Sequence, residues 1–282
     1  MKIGAHVSIA GGIFNAPKQA HSFGCEVYQV FTRSPQGGPA PKLTPEILKQ
    51  FKSENEKYGF TDWAVHTPYF INFASSNPRI KKGSAVIIRE ELERASLIGA
   101  KHLMTHLGSG KDVGHDAALQ LVIDGVGQAL KGYSGPTQFC FEISAGAGAS
   151  IGSSFDDIGE MIRQIEKNDK KLKNTIGVCF DTCHAFAQGY DLRDAKTVNA
   201  TLKEFDAKIG LERLQLFHGN DSKFGFGEHK DRHEHIGDGN IGKAGFTAIL
   251  NHPKLKDRNV YLETEHDKVK QDIATLKKLR KK

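Results

Sequence analysis

Hydrophobic positions along the chain fall into short runs that alternate with longer amphipathic stretches from one end to the other. Eight runs read as strands: KIGAHVS (2–8), EVYQVFT (26–32), WAVHT (63–67), HLMTHLG (102–108), QFCFEIS (138–144), IGVCFD (176–181), LQLFHGND (214–221) and VYLETE (260–265). Each is short, rich in apolar or β-branched residues, and followed by turn-forming residues. Between them the pattern becomes helical. TPEILKQFKSENEKYG (44–59) opens on a Thr N-cap signal and stops at Gly59. KKGSAVIIREELERASLIGA (81–100) is read with Val86, Ile87, Leu92 and Leu97 on one side. SFDDIGEMIRQIEKNDKKL (154–172) has a Ser cap, early acids and late lysines, the order a helix dipole favours. Helical stretches at 197–210, at 242–252 and from about 267 follow. This β–α alternation without a linker predicts a (β/α)8 TIM barrel, one domain over residues 1–282, with its active site at the C-terminal ends of the strands. The competing fold is an open doubly wound sheet, but the first strand is not followed by its Gly-x-Gly-x-x-Gly turn.

The strand ends carry the chemistry. His6, His66, His106, Glu142, Asp181, His218 and Glu263 stand at or near the C-terminal end of seven of the eight runs. Side chains alternate across a strand. Asp181 therefore shares a face with Cys179 and Gly177, Glu142 with Cys140 and Gln138, and Glu263 with Tyr261. The opposing sets, such as Phe139 with Phe141 and Val178 with Phe180, suit packing under helices. The acids then point inward above a layer that includes both cysteines. Taken singly, each His reads more readily as a satisfied polar residue than as a ligand, and each Glu as a salt bridge on the rim. Together they need a cation, because clustered buried acids repel one another unless neutralised.

Composition narrows the alternatives. No apolar stretch approaches the roughly 20 residues of a membrane span, and MKIGAHVSIAGG lacks a signal-peptide core, so a cytoplasmic protein is expected. The four cysteines, at 25, 140, 179 and 183, follow no zinc-ribbon or disulfide pattern and are read as bystanders. Of the net charge of +6, +5 lies in the last 16 residues, so total charge says little about nucleic acid. The 13 histidines say more. In HKDRHEHIGDGNIG (229–242), Asp231 and His233 alternate and can face one ion, and His184 follows Asp181 by three residues. Three such donors suit a catalytic zinc site with one position open.

Four stretches, GAHVSIAGG (4–12), GVCFDTCHAFAQGYDL (177–192), GNDSK (219–223) and DRHEHIGDGNIG (231–242), resemble endonuclease IV, the zinc-dependent apurinic/apyrimidinic endonuclease family with a xylose-isomerase-like barrel. The resemblance runs over essentially the whole chain. It implies three zinc ions: His66 and His106 at the first, sharing Glu142 with the second; Asp181, His218 and Glu263 completing the second; His184, Asp231 and His233 at the third. The mixed His and carboxylate donors suit zinc and could accept manganese in one site, so the metal identity rests on the resemblance more than on ligand chemistry. The implied reaction is hydrolysis of the DNA phosphodiester 5′ to an abasic nucleotide, leaving a 3′-hydroxyl, with a metal-bridging hydroxide as nucleophile. Glu142 is the catalytic carboxylate in the sense that it spaces the first two metals. Three zinc ions outweigh the four ligand carboxylates, so attraction for phosphate is local to the pocket. Damaged duplex DNA is the implied partner of a monomer. Tyr69 and Phe70 match the aromatic–apolar pair that enters the DNA, and closing the barrel rim is the competing role for them. Gln36 and Arg232 fall at further DNA-contacting positions.

Three positions depart from the family pattern. Gln36 stands where an Arg is usual and no Trp follows it, Ile143 replaces an Asn after Glu142, and Gly219 replaces the Leu of an HLND segment. The last two bear on how the ligands are oriented. Two other functions fit the fold. A sugar isomerase or epimerase needs only Glu142, Asp181, His218 and Glu263. A noncatalytic damage-binding barrel needs no complete ligand set.

Overall fold

The computed structural model describes residues 1–281. Eight parallel strands close into a barrel: β1 (Ile3–His6), β2 (Val27–Phe31), β3 (Trp63–His66), β4 (His102–Thr105), β5 (Gln138–Glu142), β6 (Ile176–Asp181), β7 (Leu214–His218) and β10 (Asn259–Leu262), in that order around the ring. β10 pairs back onto β1 and closes it, which rules out the open sheet. A two-stranded antiparallel ribbon, β8 (Asp221–Ser222) with β9 (His233–Glu234), lies in the connection after β7.

The helices ring the barrel as the amphipathic stretches anticipate, with some corrections. In α2 (Pro45–Tyr58) the Thr44 side chain accepts from the Ile47 amide, and Gly59 ends the helix at φ 74°. In α5 (Phe155–Asn168) Ser154 accepts from the Asp157 amide, and the chain then tightens into a 3-10 turn, Lys170–Leu172. Helix α3 (Pro78–Leu97) turns differently from the sequence reading. Ile88, Leu92 and Ala95 are buried, whereas Val86 and Leu97 are 63% and 61% exposed. Those two lie eleven residues apart, about three helical turns, and so share the outer face. α1 (Ala16–Phe23), α4 (His115–Leu130) and α6 (Thr182–Gln188) are additional to the stretches recognised in the sequence. α7 (Ala195–Lys208), α8 (Gly242–Leu250) and α9 (Val269–Leu279) complete the ring.

Strand alternation divides the interior as predicted. Phe139, Phe141, Val178 and Phe180 join the main core between strands and helices. Val27, Ala64, Met104, Cys140, Cys179, Leu216 and Tyr261 form a separate apolar layer inside the barrel, all without solvent exposure. That layer is the dry floor beneath the polar strand ends. A shift in pairing between β6 and β7, at Val178 and Cys179, brings Asp181 opposite His218. Such irregularities re-aim side chains near sites.

The basic terminus docks onto the barrel. The Arg280 guanidinium makes a two-pronged contact with Glu26, at 2.8 and 2.9 Å. Among the described residues, no helix is long and apolar enough to cross a membrane.

Candidate metal centre

At the C-terminal mouth of the barrel the polar strand ends converge. Glu142, at the end of β5, has no exposure and sits at the hub. Its Oε2 faces His66 Nε2 at 2.9 Å and His106 Nε2 at 3.4 Å. Its Oε1 faces His218 Nδ1 at 2.8 Å. Each oxygen thus serves a different group of donors. The second group is Glu142, Asp181, His218 and Glu263, with His218 Nδ1 3.3 Å from Glu263 Oε2 and 3.9 Å from Asp181 Oδ2.

The third group forms where α6 meets the ribbon. Asp181 ends β6 and also caps α6, its Oδ1 accepting from the His184 amide at 2.8 Å. This turns Oδ2 toward the other donors and starts a helix whose first turn aims His184 inward. β9 and the residues just before it bring in the other two donors. His184 Nε2 lies 3.1 Å from Asp231 Oδ1, and His233 Nε2 lies 3.6 Å from Asp231 Oδ1 and 3.4 Å from His184 Nε2. Asp181 Oδ2 is 3.6 Å from His233 Nε2, so it stands between the second and third groups.

These spacings suit a small divalent ion. Donors at the corners of a tetrahedron with bonds of about 2.0–2.1 Å stand roughly 3.3–3.4 Å apart. The donor separations given above run from 2.8 to 3.9 Å and straddle that value, the shortest being hydrogen bonds that an ion would replace. All nine residues singled out from the sequence are brought together here.

Three of the histidines are oriented by their second nitrogen. His66 Nδ1 meets the Thr67 carbonyl at 2.6 Å, His184 Nδ1 the Ile143 carbonyl at 2.9 Å, and His218 Nε2 the Gln29 Oε1 at 2.8 Å. Such contacts fix the tautomer of a metal-ligating ring. Two amides in this shell were not anticipated. Gln29 bridges His218 to Glu263, and Asn220 donates to Asp181 Oδ2 at 2.8 Å while accepting from the Glu263 amide. As uncharged residues at no recognised spacing, they give little sequence signal; only GNDSK touches one of them.

The charges are strongly coupled. Burial alone would raise the Glu142 pKa, but His106, His218 and His66 outweigh it and hold the carboxyl well below its ordinary range. Burial also works against charge on Glu263, and His218 brings its pKa down to about 2. Burial would lower the His184 pKa, and Asp181, Asp231 and Glu142 instead raise it to about 10. His218 is likewise raised well above its usual value. Without a metal, imidazolium protons supply the positive charge these acids demand, and a cation would displace them. His6 differs: burial lowers its pKa to about 3, and it joins none of the three groups.

The cysteines stay outside the chemistry. Cys140 and Cys179 lie in the apolar floor. Cys183 Sγ comes within reach of Asp231 and His233, but burial and then Asp181 push its thiol pKa far up, and it meets the Arg232 carbonyl at 3.5 Å.

The departures from the family pattern have local explanations. The Ile143 side chain packs in the core while its backbone carbonyl orients His184, so that contact does not depend on the residue type. At Gly219 an added Cβ would stand 2.4 Å from Val260 Cγ1, so Val260 fills the space a larger residue would need. Beside the mouth lies a cavity of about 210 Å³ lined by Tyr69, His106, Ser144, His184 and Asp231. Tyr69 is 63% and Phe70 36% exposed there. Gln36 is exposed in a turn held by Ser34, and neighbouring Gly37 approaches the Phe70 ring. Arg232 is exposed beside Asp231 and donates to its carbonyl at 2.7 Å.

Residues 17–280 match the xylose isomerase-like TIM barrel family. A probable endonuclease 4 from Halothermothrix orenii is 37% identical over 264 residues, covering 94% of this chain and 93% of that protein. The crystal structure of endonuclease IV from Thermus thermophilus superposes with a TM-score of 0.85 at 29% identity, covering 99% of this chain and 98% of that one. A D-tagatose 3-epimerase-like protein, at 20% identity and TM-score 0.73 over 99% of this chain and 97% of its own, shares the fold alone. With a matched segment spanning nearly the whole barrel and a relative alike over almost its full length, the chain belongs to the endonuclease IV family of xylose isomerase-like TIM barrels.

Proposed function

We propose that this protein is a DNA-repair endonuclease that hydrolyses the phosphodiester 5′ to apurinic or apyrimidinic sites in duplex DNA and leaves a 3′-hydroxyl. The observation that carries the reading is the set of three adjoining donor groups, joined through Glu142 and Asp181, at the open end of the barrel.

Zinc suits the mixed His and carboxylate donors. His66, His106 and Glu142 would hold the first ion, Glu142, Asp181, His218 and Glu263 the second, and His184, Asp231 and His233 the third. Bound zinc supplies an ionised water near neutral pH and positive charge against phosphate oxygens. The chain does the rest. Glu142 spaces the first two sites through its two oxygens. The Thr67 and Ile143 carbonyls and the Gln29 amide keep the imidazoles in register. The apolar floor excludes water from below. His106 and Asp231, partly exposed with side-chain accessibilities of 31% and 49%, mark the side from which a phosphate would enter.

Tyr69 and Phe70 stand exposed on the loop after His66 and would enter a duplex opened at the lesion. An abasic nucleotide has no base to unstack, so extruding it costs less than extruding an intact one. A sugar-epimerase reading uses only the second donor group and leaves His66, His106, His184, Asp231 and His233 without a purpose.

Stripping the protein with a chelator and assaying an abasic duplex tests the proposal. Cleavage should disappear and return with added zinc. Cleavage that persists in the stripped protein contradicts it, and so does equal cleavage of an intact duplex.

A further inference from the structure

Gln29 lies in the middle of β2 with no solvent exposure, although an apolar residue would fill the same space in a barrel interior. Its amide meets three polar groups. Oε1 faces His218 Nε2 at 2.8 Å, and Nε2 faces Glu263 Oε1 at 2.7 Å and His6 Nδ1 at 3.0 Å. Only one orientation of the amide satisfies this set. Turned over, its oxygen would face a carboxylate with no hydrogen to give, and its NH2 would face the ring nitrogen of His218. As it stands, one oxygen accepts and both amide hydrogens donate.

The consequence reaches the donor atoms. His218 must donate from Nε2, so Nδ1 is the nitrogen presented to Glu142 Oε1 at 2.8 Å and Glu263 Oε2 at 3.3 Å. Glu263 has Oε1 engaged by Gln29, which turns Oε2 toward the same point. His66 and His184 obtain the equivalent support from backbone carbonyls, which no side-chain substitution removes. His218 depends on a side chain 189 positions away in sequence.

We propose that Gln29 is a positioning residue for the second donor group, fixing which nitrogen His218 presents and which oxygen Glu263 presents to a metal ion there. This rests on the three-zinc reading above. An outer partner of this kind is worth roughly 10–100-fold in metal affinity.

The test uses full-length metal-free protein, native and as Gln29→Met and Gln29→Glu, titrated with Zn2+ against a chromophoric chelator. Native protein should bind three equivalents. In Gln29→Met, one equivalent should weaken by about 10–100-fold and two should not change. Imidazole ¹⁵N spectra of the zinc-loaded proteins give a second readout. His218 should carry its hydrogen on Nε2 in native protein and in Gln29→Glu, which keeps an acceptor for His218 while losing the donor to Glu263, and should lose that preference in Gln29→Met. Three unchanged equivalents in Gln29→Met, or three equally weakened ones, would overturn the role of Gln29 while leaving the three-zinc reading intact. Failure of both variants to fold would assign Gln29 to the core and likewise overturn its role. Native protein that binds no zinc at the second group would defeat the three-zinc reading itself.

Discussion

Replacing Asp221 with Asn should release the loop that carries the third donor group. Asp221 has no exposure and begins β8. Everything facing its carboxylate is a backbone donor. Oδ1 accepts from Ser222 at 2.8 Å and Ile241 at 2.9 Å, and Oδ2 accepts from Gly237 at 2.9 Å and Gly239 at 3.3 Å. The Gly242 amide reaches both oxygens, at 3.3 and 3.2 Å. Burial pushes the carboxyl pKa up and these amides pull against it, but acceptor oxygens are needed on both sides in either state. An Asn would turn its NH2 onto two or three of these N–H groups. At about 1–3 kcal/mol for each buried donor left unpaired, the cost is roughly 2–9 kcal/mol, a large share of the 5–15 kcal/mol of a typical domain. The damage should be local, since the loop spans 233–242 and the barrel closes without it. Amide hydrogen exchange checks this: protection should fall at Gly237, Gly239, Ile241 and Gly242 and persist in β5 and β6. One zinc equivalent should also weaken. Native protection at those four amides in Asp221→Asn would refute the reasoning.

Glu142→Gln should disturb the first two donor groups together, lowering zinc content from three equivalents toward one and abasic-site cleavage by more than about 100-fold; retention of three equivalents would show that Glu142 does not join them. Tyr69→Ala, at an exposed position, should leave stability within about 0.5 kcal/mol and zinc content unchanged while cleavage of an abasic duplex falls roughly tenfold; unaltered cleavage would assign Tyr69 to closing the rim. Burial works against charge on Glu26, but Arg280 and the Ile3 amide lower its pKa below the usual glutamate value. Its stabilisation is therefore present at neutral pH and lost as acidification passes the folded-state pKa. Glu26→Gln should cost under about 1 kcal/mol at pH 7 for this partly exposed pair, with the difference from native closing in acid; denaturant melts at several pH values measure this.

The barrel is legible in the sequence because its strands are short apolar runs that end on polar residues, and because parity sorts each strand into two faces. That parity places Asp181 and Glu142 above Cys179 and Cys140 before any coordinates are known. Helices without the usual punctuation are harder to see. α4 begins after Gly114 with no side-chain cap and contains Gly125, where an added Cβ would stand 2.4 Å from the Phe73 ring. α6 has only seven residues and starts directly from a strand, its cap being a residue that reads as chemistry. The outer face of α3 misleads because Val86 and Leu97 are apolar yet exposed. In the site, charged residues announce themselves by clustering at strand ends. Gln29 and Asn220 do not, since their importance lies in which atoms they meet across the barrel. Asp221 appears in a family segment, but its role as acceptor for a glycine-rich loop exists only once that loop has folded around it.

The most direct measurement is zinc quantification on a sample assayed in parallel against abasic and intact duplexes. The account predicts three zinc ions per chain and cleavage confined to the abasic duplex. One or two ions per chain without cleavage of the abasic duplex would contradict it.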